Sequence, residues 1–419
     1  MRTAIAIATC FFSSVLCVSA GAENWPNWRG PSSDAIVRGS GYPTSWGENE
    51  NIAWKFSVPG WGTSTPAIWD QQIFVSFDDE QKNGLLCVDR QGKLQWRIEL
   101  GDAASNKNRK ASASNPSPLT DGNHVYAYFK SGDLACVTLE GDKVWQVNLQ
   151  QQHGPDRLNW DLGTSPVLTD DLIVVAVMHQ GPSYLVGLDK KTGREVWKQD
   201  RNLGAPAEAR DSYSTPLVIR DDEREILIVL GGDNVTAHEA STGREIWRVG
   251  GLNPQSQRNF RSIASPAMAD GMVIAPYARG QTLTAIRVGG QGDVTETHVA
   301  WTSYDASSDV PTPVAFDGRL YICGDRGDIS CVDVDSGKVR WEFPLPRNRY
   351  VYSASPVIAD GKLYATREDG RTFVLSLGEK PELVAENSVR ENTLATPAFA
   401  DGQIFLRTSD YLICIGTKP

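Results

Sequence analysis

The chain has 419 residues, 38 of them Gly and 23 Pro, and a formal net charge of −10. That acidic balance repels phosphate backbones and excludes non-specific nucleic-acid binding. Length alone suggests two or three domains, unless internal repeats share one closed core.

In chain order, the first feature is an export signal. Arg2 gives a short positive start, Ala4 to Val18 is apolar, and Ala20-Gly21-Ala22 fits a small-residue cleavage site. Residues 1–22 are therefore expected to leave, with a mature start near Glu23. Leu16 stands before Cys17, where a lipoprotein signal wants a small residue. No later stretch is long and apolar enough for a spanning helix. The expected protein is exported, periplasmic or secreted, without an integral membrane segment.

An orphan strand, Ile52-Ala53-Trp54-Lys55-Phe56, comes next. A phrase of Ser or Thr, Pro and then apolar residues recurs from there on. It stands at Thr65-Pro66, Ser117-Pro118, Ser165-Pro166, Thr215-Pro216, Ser265-Pro266, Thr312-Pro313, Ser355-Pro356 and Thr396-Pro397. The prolines are 41 to 52 residues apart, the period of four-stranded propeller blades. Inside a unit, alternating strands such as Lys362-Leu363-Tyr364-Ala365-Thr366 are bounded by Asp-Gly turns such as Asp360-Gly361. The eighth unit ends after three strands, so the strand at 52–56 is predicted to complete it and close the ring. Closure removes exposed sheet edges. The fold class is all-β: an eight-bladed β-propeller of four-stranded antiparallel blades spanning residues 52–419.

Fourth strands carry Trp. Gly92/Trp96, Gly141/Trp145, Gly193/Trp197, Gly243/Trp247 and Gly337/Trp341 share one spacing. Trp54 and Trp301 take the same place, the latter after a turn rebuilt as Gly289-Gly290-Gln291-Gly292. The seventh unit, at Leu383-Val384-Ala385, lacks its Trp. These seven indoles are assigned to the gaps between blades, a structural role. Cys87, Cys136, Cys331 and Cys414 occupy matching places and read as small buried hydrophobes. Cys323 and Cys331 lie on adjacent predicted strands, and a bridge between them stays open.

The pattern Asp-x-x-x-Gly-x-x-x-Trp, at Asp189/Gly193/Trp197 and Asp333/Gly337/Trp341, resembles the tryptophan-docking motif of pyrroloquinoline-quinone-like repeats. That family includes quinoprotein alcohol dehydrogenases and the outer-membrane assembly factor BamB. The resemblance covers residues 52 to 416 and implies the fold more than the chemistry. Trp25-Pro26-Asn27-Trp28-Arg29-Gly30-Pro31 looks like the lead-in of bacterial members, so residues 23–51 are expected to form a strap on the propeller.

The family's ligand end is built from loops entering the innermost strands. Six of these eight loops carry Arg: Arg109, Arg157, Arg210, Arg258 with Arg261, Arg347 with Arg349, and Arg390. Repetition predicts that they share a rim, with Trp160, Tyr213 and Tyr352 as aromatic surface beside them. Arg forks suit carboxylate and phosphate, so the expected ligand is a small anion or an acidic segment of a protein or peptide partner. Local pairing, as in Arg210-Asp211 and Arg390-Glu391, is the competing account of the same residues.

Catalytic signatures are sparse. His124, His153, His179, His238 and His298 make no metal-ligand spacing, and neither a Cys-x-x-Cys-His haem site nor a Gly-x-Ser-x-Gly elbow occurs. No vicinal Cys pair is present, and only Asn159-Trp160-Asp161 echoes a quinoprotein segment. No catalytic residue, metal ligand or cofactor is assigned. The reading is a monomeric, non-catalytic binding or assembly scaffold similar to BamB. The alternative is a dehydrogenase using pyrroloquinoline quinone with calcium, and a second is a sensor or ligand-binding ectodomain working with a partner.

Overall fold

The computed structural model describes residues 23–79, 81–221 and 224–417. The expected signal peptide, with Cys10 and Cys17, lies outside them. Eight antiparallel sheets stand around an axis, seven with four strands and one with five. Blade 1 is Ala67–Trp69, Gln72–Asp78, Lys82–Asp89 and Leu94–Asp102, from the axis outward. Blade 8 has three late strands, Ala398–Ala400, Gln403–Arg407 and Tyr411–Ile415, and takes Ile52–Ser57 as its fourth. That strand runs antiparallel to Tyr411–Ile415, with Trp54 opposite Cys414. The ring closes as predicted.

Asp-Gly turns join strands one and two in several blades. Asp360 and Gly361, at φ 50° and 66°, both adopt the left-handed conformation of a two-residue hairpin turn. Strands two and three of each blade are largely buried, whereas outer strands alternate, as in Val339–Pro344.

Every outer strand carries a bulge one residue before the Trp position. Cys87 faces Trp96 while Val88 faces Leu94, and the same slip occurs at Trp54, Trp145, Trp197, Trp247, Trp301 and Trp341. A bulge re-aims the next side chain. Here it turns the indole toward the next blade, onto that blade's turn glycine. A methyl group on Gly92, Gly141, Gly193, Gly243 or Gly337 would lie 2.4 to 2.6 Å from the ring of Trp54, Trp96, Trp145, Trp197 or Trp301, respectively. The indole N–H then donates to a carbonyl of the blade it covers, as from Trp145 to Lys190 O at 2.9 Å and from Trp341 to Gly378 O at 3.0 Å.

Across each sheet the Trp continues a row. Phe74–Cys87–Trp96, Tyr126–Cys136–Trp145, Tyr321–Cys331–Trp341 and Phe405–Cys414–Trp54 lie side by side. This accounts for the four matching cysteines: a small side chain seats the ring of one outer row against the next. All five described cysteines are buried and free, so Cys323 and Cys331 form no bridge.

Blades 4 and 7 depart from the pattern. The rebuilt turn of unit five sends Gly292–Asp293 back as a fifth strand, parallel to Trp247–Arg248 of blade 4. In blade 7 the row reads Tyr364–Val374–Ala385, with no indole of its own. The strap supplies one. Trp46 is buried, stacks on Tyr364 at 6.5 Å and 8°, and donates its backbone N–H to Asn387 on the same blade.

Candidate functional site

The ends of the axis differ. At the base, the strap pairs Trp25 with Ile68 of blade 1 in both directions and lays Ile36 beside Ile358 of blade 7. Between them Arg29 reaches inward and donates to the carbonyls of Thr312 and Pro313, at 3.4 and 2.8 Å. Burial pulls its guanidinium down to about 10, partly offset by Asp34. Trp28, beside it, lines the axial cavity from below.

Above Trp28 stands a ring built by the recurrent Ser/Thr-Pro. The backbone N–H of Thr65 donates to Ser117 Oγ, that of Ser117 to Ser165 Oγ, and so on through Thr215, Ser265, Thr312, Ser355 and Thr396, at 2.9 to 3.0 Å. Thr65 Oγ1 closes the circle by donating to Thr396 O at 2.9 Å. Proline follows each of them, which removes a competing donor from the next position. Seven of the eight hydroxyls thus satisfy a buried amide of the blade before, and the eighth, on Thr65, donates to a carbonyl instead.

The ring encloses a throat of about 230 Å3. It opens into a mouth of about 340 Å3, which shares Lys110, Gly163, Tyr213, Ile263, Val310 and Ser353 with it. Trp160 stands at the mouth, 48% exposed, with its indole N–H on Glu208 at 3.1 Å. Its backbone N–H donates to the Tyr213 hydroxyl at 3.0 Å.

Each cation at the mouth is paired with a carboxylate of the chain. Lys110 binds Glu368 at 2.8 Å, Arg261 binds Asp309 at 2.8 Å through a two-pronged contact, and Lys130 binds Asp161. Asp161 also accepts the backbone N–H groups of Lys107 and Asn108, and so holds the long loop of blade 1 in place.

The predicted arginine rim does not converge. Arg261 alone of the eight lines the axial cavity, and its charge is answered by Asp309 and by Glu208 at 3.8 Å. Arg109, Arg157 and Arg258 are exposed on separate loops. Arg210 turns off the axis to Ala205 O, Arg347 pairs with Asp328, Arg349 lies over Tyr350, and Arg390 pairs with Glu48. The loops differ in length and course, so a shared place ahead of the Pro does not give a shared direction. Tyr352 is also displaced: it is 1% exposed and packs on Phe373 in the core. Trp160 and Tyr213 do meet Arg261 at the mouth. Sequence reasoning missed Trp28, Lys110, Ile263, Val310 and the hydroxyl ring. Only the ring left a signal, in the eightfold Ser or Thr before Pro.

A family model described as outer membrane protein assembly factor BamB matches residues 35–183, 140–293 and 295–379. The chain belongs to the BamB family. It is 22% identical to BamB of Yersinia pestis over 72% of this chain and 73% of that one. It is 23% identical to a lanthanide-dependent methanol dehydrogenase of Methylorubrum extorquens, over 47% of this chain and only 35% of the enzyme. Escherichia coli BamB matches at 28% over 48% of this chain and 45% of its own length. Among solved structures, BamB from Moraxella catarrhalis has a TM-score of 0.62 at 15% identity, covering 88% of this chain and 97% of that one. A quinohemoprotein alcohol dehydrogenase from Comamonas testosteroni has 0.67 at 12%, covering 94% and 81%. BamB and dehydrogenase thus share this fold with the chain.

Quinone chemistry in this repeat family calls for calcium held by carboxylate and amide oxygens. In this structure the mouth carboxylates Asp161, Asp309 and Glu368 are each committed to a cation of the chain itself. Among the described residues, no three His, Cys, Asp or Glu side chains converge as a metal cage. The carboxylates Asp161, Asp309 and Glu368 are thus already engaged within the chain.

Proposed function

We propose that this BamB-family chain is an exported, non-catalytic binding or assembly propeller whose open axial funnel receives its partner. The carrying observation is the asymmetry of the axis: a strap seals one end, and rigid, charge-matched walls shape the other. A preformed concave face lowers the ordering cost of association. Similarity to proteins named as outer-membrane assembly factors supports a protein or peptide partner in a periplasmic setting. The apolar and aromatic mouth, with Trp160 exposed and Ile263 and Val310 half-buried, suits such a partner better than an acidic ligand drawn to free arginines.

The test is capture. The immobilised chain, cross-linked in periplasmic extract, is expected to retain a defined partner. Trp160→Ala combined with Val310→Asp should lower its recovery at least about tenfold, as truncation of a central anchor does. Arg347→Glu, off the axis, should leave recovery unchanged. Equal recovery from all three proteins would overturn the proposal.

A quinone-dependent dehydrogenase is the second reading, favoured by the methanol dehydrogenase match. Pyrroloquinoline quinone and calcium added to the pure chain are expected to produce no dye reduction with alcohols or aldoses. Reduction with any of them would reverse the order of the two readings.

A further inference from the structure

We propose that the throat of the funnel is a binding site for one uncharged saccharide ring. This deepens the reading of the funnel as the working face and rests on it.

The first observation is the chemistry of the ring. The hydroxyls of Ser117, Ser165, Thr215, Ser265, Thr312, Ser355 and Thr396 each accept a backbone N–H. Among the described residues, none of these hydroxyls donates to an acceptor of the chain; Thr65 alone of the eight does so, to Thr396 O. All of them line the cavity and all are at least nine-tenths buried. A hydroxyl has one donor and two acceptor positions. Each of the seven therefore keeps a donor and a second lone pair. That dual capacity, repeated around a circle, matches a ligand whose own hydroxyls both donate and accept.

Aromatic surface is the second. Trp28 lines the throat from the strap, and Tyr213 lines both throat and mouth. Flat apolar faces beside polar rims suit a sugar, which has C–H faces and O–H edges. The Arg29 guanidinium lies 5.5 Å from the Trp28 ring centre and is held by backbone carbonyls, which fixes the indole's setting.

Charge is the third observation. Lys110 is the one ionic side chain lining the throat, and Glu368 takes it in a two-pronged contact at 2.8 and 3.1 Å. An anion would have to displace that carboxylate, and a cation would meet no free carboxylate in the throat. Neutral ligands meet neither penalty. The volume, about 230 Å3, admits one small ring and not a folded segment.

The experiment uses the full mature chain and reads tryptophan fluorescence and titration calorimetry. Probes are glucose, maltose, N-acetylglucosamine and its short oligomers, with glucuronate and inorganic phosphate as charged controls. At least one neutral sugar is expected to bind, equally at low and high salt. Monomer and oligomer arms show whether a free sugar or a chain end is preferred. Trp28→Ala should weaken binding about tenfold, the scale of one lost stacking contact, and Trp28→Phe should recover much of it. Should Trp28→Ala fail to fold, Leu394→Trp blocks the throat from its wall without touching the strap and should abolish binding. The proposal falls if no neutral sugar binds, if glucuronate or phosphate binds more tightly, or if the Leu394→Trp protein binds as the parent does. Sugar binding that persists while Trp160→Ala with Val310→Asp loses no partner would sink the capture reading and spare this one. The reverse pattern would do the opposite.

Discussion

Gly193 has φ +70°, and a methyl group on it would stand 2.6 Å from the Trp145 ring of the preceding blade. The residue that permits the turn also makes room for the neighbour's indole. Gly193→Ala and Trp145→Ala therefore strike the same contact from opposite sides. Trp145→Ala is expected to cost about 3–5 kcal/mol in denaturant unfolding, and the double variant less than the sum of the two singles. Trp46→Ala should behave like a docking-Trp variant, although it lies in the strap, because it supplies the blade 7 indole. Asp211 offers a different handle. Burial foremost, then Glu208 and Asp156, push its carboxyl up to about 6, against the Asn159 N–H and Lys107, which lower it. The folded chain thus holds this proton more tightly than the unfolded chain, whose carboxyl keeps the ordinary value of 3.8. Stability from this site is fully present below that value and is lost as pH rises through about 6. Thermal unfolding of Asp211→Asn against the parent should show the parent losing ground as pH rises from about 4 to 6; a constant difference would refute the assignment.

At the scale of the element, the recurrent Ser/Thr-Pro joins two jobs that the chain alone kept apart. Proline opens the inner strand, and the hydroxyl before it ties each blade to the last. Ser265→Ala would leave the Thr215 N–H without its acceptor, an expected loss of about 1–3 kcal/mol. Ser265→Thr, which keeps the oxygen, should stay close to the parent in the same denaturant measurement. The repeat, its turns and its Trp positions were legible because period-2 alternation and Asp-Gly turns are local signals. The bulge before each Trp was not, since a one-residue slip in pairing leaves no mark in composition. Nor was the fifth strand of blade 4: Gly292–Asp293 reads as part of a Gly-rich turn, and only the adjacent blade's open edge makes it a strand.

For the molecule as a whole, closure is the decisive contact. Ile52–Ser57 joins the two ends of the chain, and without it Tyr411–Ile415 becomes an open edge. Deleting 52–57 is expected to replace one cooperative unfolding transition with a broad one and to promote aggregation, read by calorimetry and light scattering. The strap acts on the same scale, since it lies across one end of the axis, with Trp28 lining the cavity, and leaves the other end to the loops.

The sequence by itself determined the number of blades, their order, the closing strand and seven of the indoles that fill the gaps, because each rests on spacing along the chain; Trp46, which serves blade 7 from the strap, does not. Tertiary structure alone decided where the rim arginines point, which charges cancel, and that Trp28 and eight hydroxyls surround the axis. Those outcomes depend on loop course and on partners hundreds of residues away, and side-chain direction at such distances is set by packing, which no local pattern encodes.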